Sequence, residues 1–551
     1  MKGDFSRVTF DPSKHFLRVL MQQGRVQLDA DWNEQIAILL HYLQTLATDI
    51  IGPFAGPGDR LETEDDPNSR VLEKRCGFEI ITAPLRIDKF LELSPAEKNR
   101  LKSLLSRQET RFLIGRGRYY VDGVLCTNHD YTAYNEQPDY PEAPAPTQKP
   151  YLVYLDVWER HVTIVEDPGL REVALGGPDT ASRSKIVCQV KFDSTLPNII
   201  SAASSLTAAG PIEWSCASVK EHWKKWVEKW QPAQRGTLKA RTKTSSKPDT
   251  DPCTIAPSSR YRGAENQLYR VEVHKPGTAH VATFKWSREN GAVIFPVKEV
   301  SISDGVTTVT LAHLGRDGRF GLAPGDWVEL VNDNYVLKES TAPLLKVTNL
   351  DYAALQVTLE GTTDLEFDED RHPLLRRWDH KEGNPARGGV KLENDGAILI
   401  KEGTGENEWF NLEDGIQIQF QPGATRYRTG DYWLIPARTA TGEIEWPTEL
   451  EDPNDHESAL VPTAQAPHGV THHYAPLAII DSSNTAHDCT CCFGNLSICE
   501  DDSGSDSPIE LRGMVEPAFE AGVAPQAEPV APMEPEPKPR PRTKPKPRPE
   551  S

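Results

Sequence analysis

The chain has 551 residues and a formal net charge of −20, long enough for several hydrophobic cores that need no disulfide or metal staple. With 61 Lys and Arg against 81 Asp and Glu, it lacks the concentrated basic surface that releases counterions from phosphate, which excludes nucleic acid as the main partner. No run of about 18 apolar residues is present to span a bilayer, and MKGDFSRVTF has no apolar core for a secretory signal, so a cytoplasmic protein is expected, one that leaves the cell only inside a larger particle.

Residues 22–51, QQGRVQLDADWNEQIAILLHYLQTLATDII, read as a polar turn, a short strand-like run and an amphipathic helix. Asp31 is expected to cap the helix, with Glu34 closing a capping box. Trp32, Ile36, Leu39, Leu43, Leu46 and Ile50 then alternate at spacings of four and three, the seam of a short coiled coil or bundle. Asn33, Gln35, His41, Gln44, Thr45, Thr48 and Asp49 fall mostly on the opposite, wet side. Such a stripe must be buried, on its own domain or on a copy of itself.

GPFAGPGD (52–59) marks a boundary. FEIITAPLRI follows as a strand, SPAEKNRLKSLLSRQ as a helix capped by Ser94, and GRGRYYVDGVLC as a hairpin turning at Asp122-Gly123. In YLVYLDVWERHVTIVEDP, Tyr151, Val153, Leu155 and Val157 alternate with Leu152, Tyr154, Asp156 and Trp158, so both faces carry large groups and the strand is central. SVKEHWKKWVEKW (218–230) is an amphipathic helix with Val219, Trp223, Trp226 and Trp230 on one side, fitted to cap a sheet or to bind a membrane surface or partner. QPAQRGTLKARTKTSSKPDTDPCTIAPSSRYRG, poor in apolar residues, is expected to be a flexible insert.

From 264 onward NQLYRVEVH, VATFKWS, AVIFPV, VTTVTLAHL, DWVELVND, LQVTLE, AILIK, IQIQF and DYWLIPA are strands separated by turns, the pattern of antiparallel sandwiches or barrels. LAPGDWVELVND and YRTGDYWLIPAR share a Gly-Asp turn before an aromatic strand, either an echo of two related modules or a generic turn. From about 514 proline recurs at almost every second position, which favours a disordered, extended tail. Its basic end carries Lys538, Arg540, Arg542, Lys544, Lys546 and Arg548, a tether or a docking site for an acidic protein or lipid surface. The expected class is therefore mainly β: sandwich- or barrel-like antiparallel modules with an N-terminal amphipathic helix, a second Trp-rich helix and a Pro-rich tail. The expected segments are 1–58 (docking hairpin and helix), 59–200 (β-rich domain), 201–262 (helix and insert), 263–375 and 376–490 (two β modules) and 491–551 (Cys-containing segment and tail).

Chemistry is sparse. His468, His472, His473 and His487 with Cys489, Cys491, Cys492 and Cys499 have zinc-ligand residue types, but no clean CxxC pair is present and adjacent Cys491 and Cys492 cannot easily share one ion. The remaining cysteines, at 76, 126, 188, 216 and 253, are scattered singly, which fits reduced thiols better than a disulfide framework. Asp156, Glu159, Glu166 and Asp167 surround His161 and supply acids for a glycosidase without a visible cleft. Asp364, Glu366, Asp368, Glu369 and Asp370 lack the glycine and alternation of a calcium loop. GRGRYY is no dinucleotide fingerprint, and no P-loop, nucleophile elbow or HExxH helix occurs. No enzyme activity and no cofactor are expected.

MKGDFSRVTF, QQGRVQLDADWNEQ, YYVDGVLC, YLDVWERHVTIVEDPGLREVALGGPDT, ENQLYRVEVH, FKWSRENGAVI, GRFGLAPGDWVEL, RTGDYWLIPAR and HHYAPLA together resemble a family of unknown-function proteins encoded beside phage-tail-like contractile injection systems. The resemblance runs from residue 1 to about 490. It implies a structural part of the injection particle, at the baseplate end as a fibre-like, collar or cage component, with other particle subunits and copies of itself as partners and no active site to carry over. A carbohydrate-binding or glycan-hydrolysing protein is the alternative.

Overall fold

The computed structural model describes residues 1–61, 73–82, 94–107, 111–196, 213–232, 235–243, 260–383, 389–423, 426–455 and 458–493. The Lys538–Arg548 cluster, Cys253 and Cys499 lie outside them. The described chain falls in one compact unit, and it is mainly β, as the alternating runs predict.

Three cores organise it. The first forms around the strand Tyr151–Val162, flanked antiparallel by Arg183–Asp193 and His473–Ile480, with Ala486–Asp488 at the edge. On one face Val153, Leu155 and Val157 pack with Val190, Tyr119 and Val121, the last two from the Gly117–Val121/Val124–Asn128 hairpin. That hairpin turns at Asp122 (φ 46°) and Gly123 (φ 77°), the two positive angles a two-residue turn requires. On the other face Leu152 and Tyr154 are covered by Val219 and Trp226 of two short helices, Cys216–Glu221 and Trp223–Trp230. The Trp-rich helix thus caps a sheet, broken at His222, and the strand is central because both its faces are claimed.

The second core is a sandwich. A five-stranded sheet (Ile398–Leu399, Thr283–Ser287, Gln267–Val273, Tyr432–Arg438, Glu443–Ile444) faces a three-stranded one (Thr237–Thr242, Ile416–Gln421, Phe410–Asn411), and Tyr269, Val271, Phe284 and Trp433 meet Leu238, Ile418 and Phe420 between them. The third is a closed six-stranded barrel of Ile294–Ser303, Val306–Leu311, Gln356–Glu360, Leu344–Asp351, Trp327–Val331 and Leu374–Trp378, filled by Phe295, Val309, Val328, Leu345 and Leu359. A smaller layer sets the helix Pro95–Ser106, opened by the Ser94/Glu97 capping box, on Ile81, Leu113 and Ala133.

Several expectations are corrected. The cores do not follow six consecutive segments: the 59–200 domain is completed by residues 473–488, and the 263–375 module splits between sandwich and barrel. The supposed flexible insert contributes the strand Thr237–Thr242, held along its length by Ile416–Gln421. No hairpin forms among residues 1–28, whose one regular element is the short 3-10 turn Pro12–Lys14. The two Gly-Asp echoes lie in different architectures, Trp327–Val331 in the barrel and Tyr432–Arg438 in the sandwich, so they are generic turns before strands.

Candidate assembly interface

The N-terminal helix, α1, runs Asp29–Ile51. Its Ala- and Leu-rich composition favours helix, and Asp29 and Asp31 in the first turn complement the dipole. The predicted capping box does not form. The helix starts three residues earlier, with Leu28 at the N-cap and no side-chain cap, because both acids are engaged by the preceding arm or lie inside the helix. Asp29 accepts from the Ser6 amide at 2.9 Å, and Glu34 accepts from the Thr9 hydroxyl at 2.5 Å. The Val19 amide donates to Gln35 Oε1 at 2.8 Å, and Phe10 packs on His41. At the far end Gly52 (φ 93°) returns its amide to Thr48. The carbonyl of Gln44 lies so close to Gly123 that a Cβ there has no room, which seats α1 on the hairpin turn.

These contacts use one face. Ala30 and Ile38 are buried and Glu34, Ala37, Gln44 and Thr48 half-buried. The apolar stripe points the other way: Trp32 is 71% exposed, Leu43 61% and Ile50 63%, and Ile36, Leu39 and Leu46 are exposed with them. The expected wet side is therefore partly reversed, since Gln35, Gln44 and Thr48 lie toward the protein. Phe16, Leu17, Leu20 and Met21 of the preceding strap are exposed as well. Of the 27 exposed large hydrophobics among the described residues, 16 fall within the first 50 residues, a concentration unlike the single scattered apolar residues of an ordinary surface. The strap's contribution was legible only as the apolar run FLRVLM, which lacks a period.

Residues 1–79, 94–208 and 198–532 match DUF6519, described as a family of unknown function. The chain belongs to that family. No curated protein and no solved structure matches it.

In this DUF6519 chain the other candidates are placed as follows. His472 is buried, with Nδ1 2.7 Å from Asp156 and Nε2 2.9 Å from Glu339. His473 bonds Asp122 and His487 bonds Asp481, while the His468 ring lies tilted beside that of Tyr432. Cys489 is bonded to Cys216 and Cys492 to Cys76, with Cα separations of 5.1 and 5.7 Å. These disulfides correct the expectation of reduced thiols. Their partners, 416 and 273 residues apart, meet because Cys492–Phe493 pairs parallel to Phe54–Pro57 and the Cys216–Glu221 helix sits on His473–Ile480, a pairing that spacing cannot reveal. Cys126, Cys188 and Cys491 are free. Among the described residues no group of three or more His, Cys, Asp or Glu is placed to hold a metal ion, and no helix is long and apolar enough to cross a membrane.

The acids around His161 have separate partners. Asp156 is bonded by Lys191 at 2.6 Å as well as by His472, Glu166 caps Thr163, Asp167 caps Gly169 and Glu159 is exposed. Two clefts of about 560 and 590 Å³ occur, one between the arm and the sandwich beside Glu289 and Arg438, the other between sandwich and barrel beside Trp327 and Asp395. None of the four acids lines either. Asp368 caps a 3-10 turn through the Asp370 amide, and Asp364 accepts from the Tyr335 hydroxyl.

Proposed function

We propose that the chain is a structural subunit of a phage-tail-like contractile injection particle, associated with its baseplate end as a fibre-like, collar or cage component, with α1 as its assembly element. The observation that carries the reading is the exposed stripe from Trp32 to Ile50. A helix in water buries its better apolar face if it can, and α1 instead lays its more polar face on its own chain. The stripe is supplied ready for other copies and other subunits of the particle, as symmetric assemblies require. The resemblance of long segments to proteins encoded beside injection systems supports a particle of that kind, and the acidic composition fits assembly with protein rather than nucleic acid. On this reading the subunit is made in the cytoplasm and released with the particle, and the Lys538–Arg548 cluster is a tether to an acidic protein or lipid surface. The glycan alternative has no comparable support, since Asp156 and Glu166 are engaged by neighbouring side chains.

The test is cross-linking of purified native sheathed particles, read for neighbours of residues 29–51. Cross-links from this segment to baseplate-end subunits are expected, and a Leu39→Asp/Leu43→Asp chain is expected to stay folded yet drop out of the particles. Absence of the chain from the particles, or full incorporation of that variant, overturns the reading.

A further inference from the structure

The start of the arm is tied down: Lys2 reaches Glu272 at 3.0 Å, the Asn290 side chain donates to the Gly3 carbonyl at 2.8 Å, and Arg438 reaches the Ser6 carbonyl. From Pro12 to Leu28 the chain then forms an outlying strap that touches α1 where Val19 bonds Gln35. At 100° per residue Gln35 sits on the flank of the stripe, so the strap runs beside the apolar face and leaves it open. Strap and helix differ sharply in charge. Residues 12–28 contain Lys14, Arg18 and Arg25 and no Asp or Glu; residues 29–51 contain Asp29, Asp31, Glu34 and Asp49 and no Lys or Arg. Both surfaces expose large apolar groups, Leu20 and Met21 on the one and Trp32 and Leu43 on the other.

Charge decides between the ways two copies can meet. Two α1 helices packed stripe to stripe set carboxylates against carboxylates with no cation in either helix, Asp31 toward Asp29 of the other copy when parallel and toward Asp49 when antiparallel, and like charges at facing positions oppose pairing. A strap laid on a stripe buries apolar surface on both sides while Arg18 and Arg25 approach the acids of the helix. We infer that in the assembled state the stripe of α1 is covered by the basic strap of a second copy of this chain, and not by that copy's α1. This rests on α1 being an assembly element and names what covers it.

Two charge-reversed full-length chains test it, Arg18→Glu/Arg25→Glu in the strap and Asp31→Lys/Asp49→Lys in the helix, followed by sedimentation equilibrium with melting curves as a fold control. Each alone is expected to self-associate at least about tenfold more weakly than the wild type. An equimolar mixture recovers wild-type association, because every strap then meets a helix of opposite sign. A strap variant that associates like the wild type, as helix-to-helix pairing requires, overturns the inference, and so does a mixture that stays dissociated. If a reversed chain melts early, the neutral pair Arg18→Gln/Arg25→Gln is measured instead and is expected to weaken association in the same direction; no weakening overturns the inference. A wild-type chain found in native particles that is a concentration-independent monomer in solution overturns the inference and leaves the particle reading intact. Association as expected, with the chain absent from particles, overturns the particle reading and supports the inference.

Discussion

His472 stands where three distant stretches meet, bonded at one ring nitrogen to Asp156 of the central strand and at the other to Glu339, which follows the short helix Asp333–Leu337 beside the barrel. Burial alone pulls an imidazole down, but the two carboxylates outweigh it and push His472 up to about 9. Burial also opposes the charged forms of Asp156 and Glu339, but the histidine, joined at Asp156 by Lys191, holds both below their ordinary values. A folded-state value above the unfolded one, roughly 6.5, means the contribution is complete below that pH and is lost as pH rises through about 9. The two carboxylates act in the opposite sense, contributing above their unfolded values near 4 and losing that contribution as pH falls through the lowered ones. The expected outcome is that His472→Gln is less stable than the wild type at pH 6 and that the gap narrows by up to about 3 kcal/mol toward pH 9.5. Urea unfolding of both proteins across that range measures it. A gap that does not change with pH means that folding leaves the proton affinity of the ring unchanged and that the two carboxylates do not hold its charged form.

At the scale of the element, α1 carries opposite demands on adjacent residues. Ile38 is 1% exposed and packs on the body, while Leu39 beside it is exposed on the stripe. Ile38→Ala is expected to cost about 2–4 kcal/mol through lost burial and a cavity, whereas Leu39→Ala with Leu43→Ala shifts unfolding of the dilute chain by no more than about 0.5 kcal/mol each. Thermal melts below the association range compare them, and equal costs place the stripe in the chain's own core. The heptad spacing of Trp32 to Ile50 made the helix and its apolar face legible from sequence, but periodicity reports that a face is greasy, not what covers it. The strands legible in the sequence are those with period-2 or doubly apolar runs, such as Gln267–Val273 and Tyr151–Val162. Thr237–Thr242 was missed because a polar strand inside a low-hydrophobicity stretch takes its order from its partner, and His473–Ile480 because its histidines suggest ligands while its pairing with Tyr151–Val162 lies far off in sequence. His472 is legible from sequence as a metal-ligand type, yet nothing local announces Asp156 and Glu339 as its partners.

At the scale of the molecule, sandwich and barrel meet across a layer of buried charge rather than a greasy seam. On the outer face of the five-stranded sheet, Arg270 bonds Glu272 at 2.6 Å, and Lys285 lies 2.6 Å from Glu329 of the barrel and 3.6 Å from Glu272, with its ammonium 4.3 Å over the Trp378 ring. Trp378 Nε1 donates to the second oxygen of Glu329 at 3.2 Å. Burial pushes Glu272 up, but Lys2, Arg270 and Lys285 together hold its carboxyl well below the usual range. Such a layer fixes how the two bodies sit because each ion is satisfied in one arrangement only, and its strength lies less in net attraction than in the cost of leaving a charge stranded. Lys285→Met strands Glu329 and is expected to destabilise the protein by about 3–5 kcal/mol. Adding Glu329→Leu removes the stranded charge, leaves Glu272 with Arg270 and Lys2, and forfeits chiefly the Trp378 bond, so the double variant is expected to be more stable than Lys285→Met alone. A double-mutant cycle by denaturant unfolding reads this as a coupling of about 1–3 kcal/mol between the two sites. Additive costs mean that the barrel is held to the sandwich by packing around Trp378 and that the ions are bystanders.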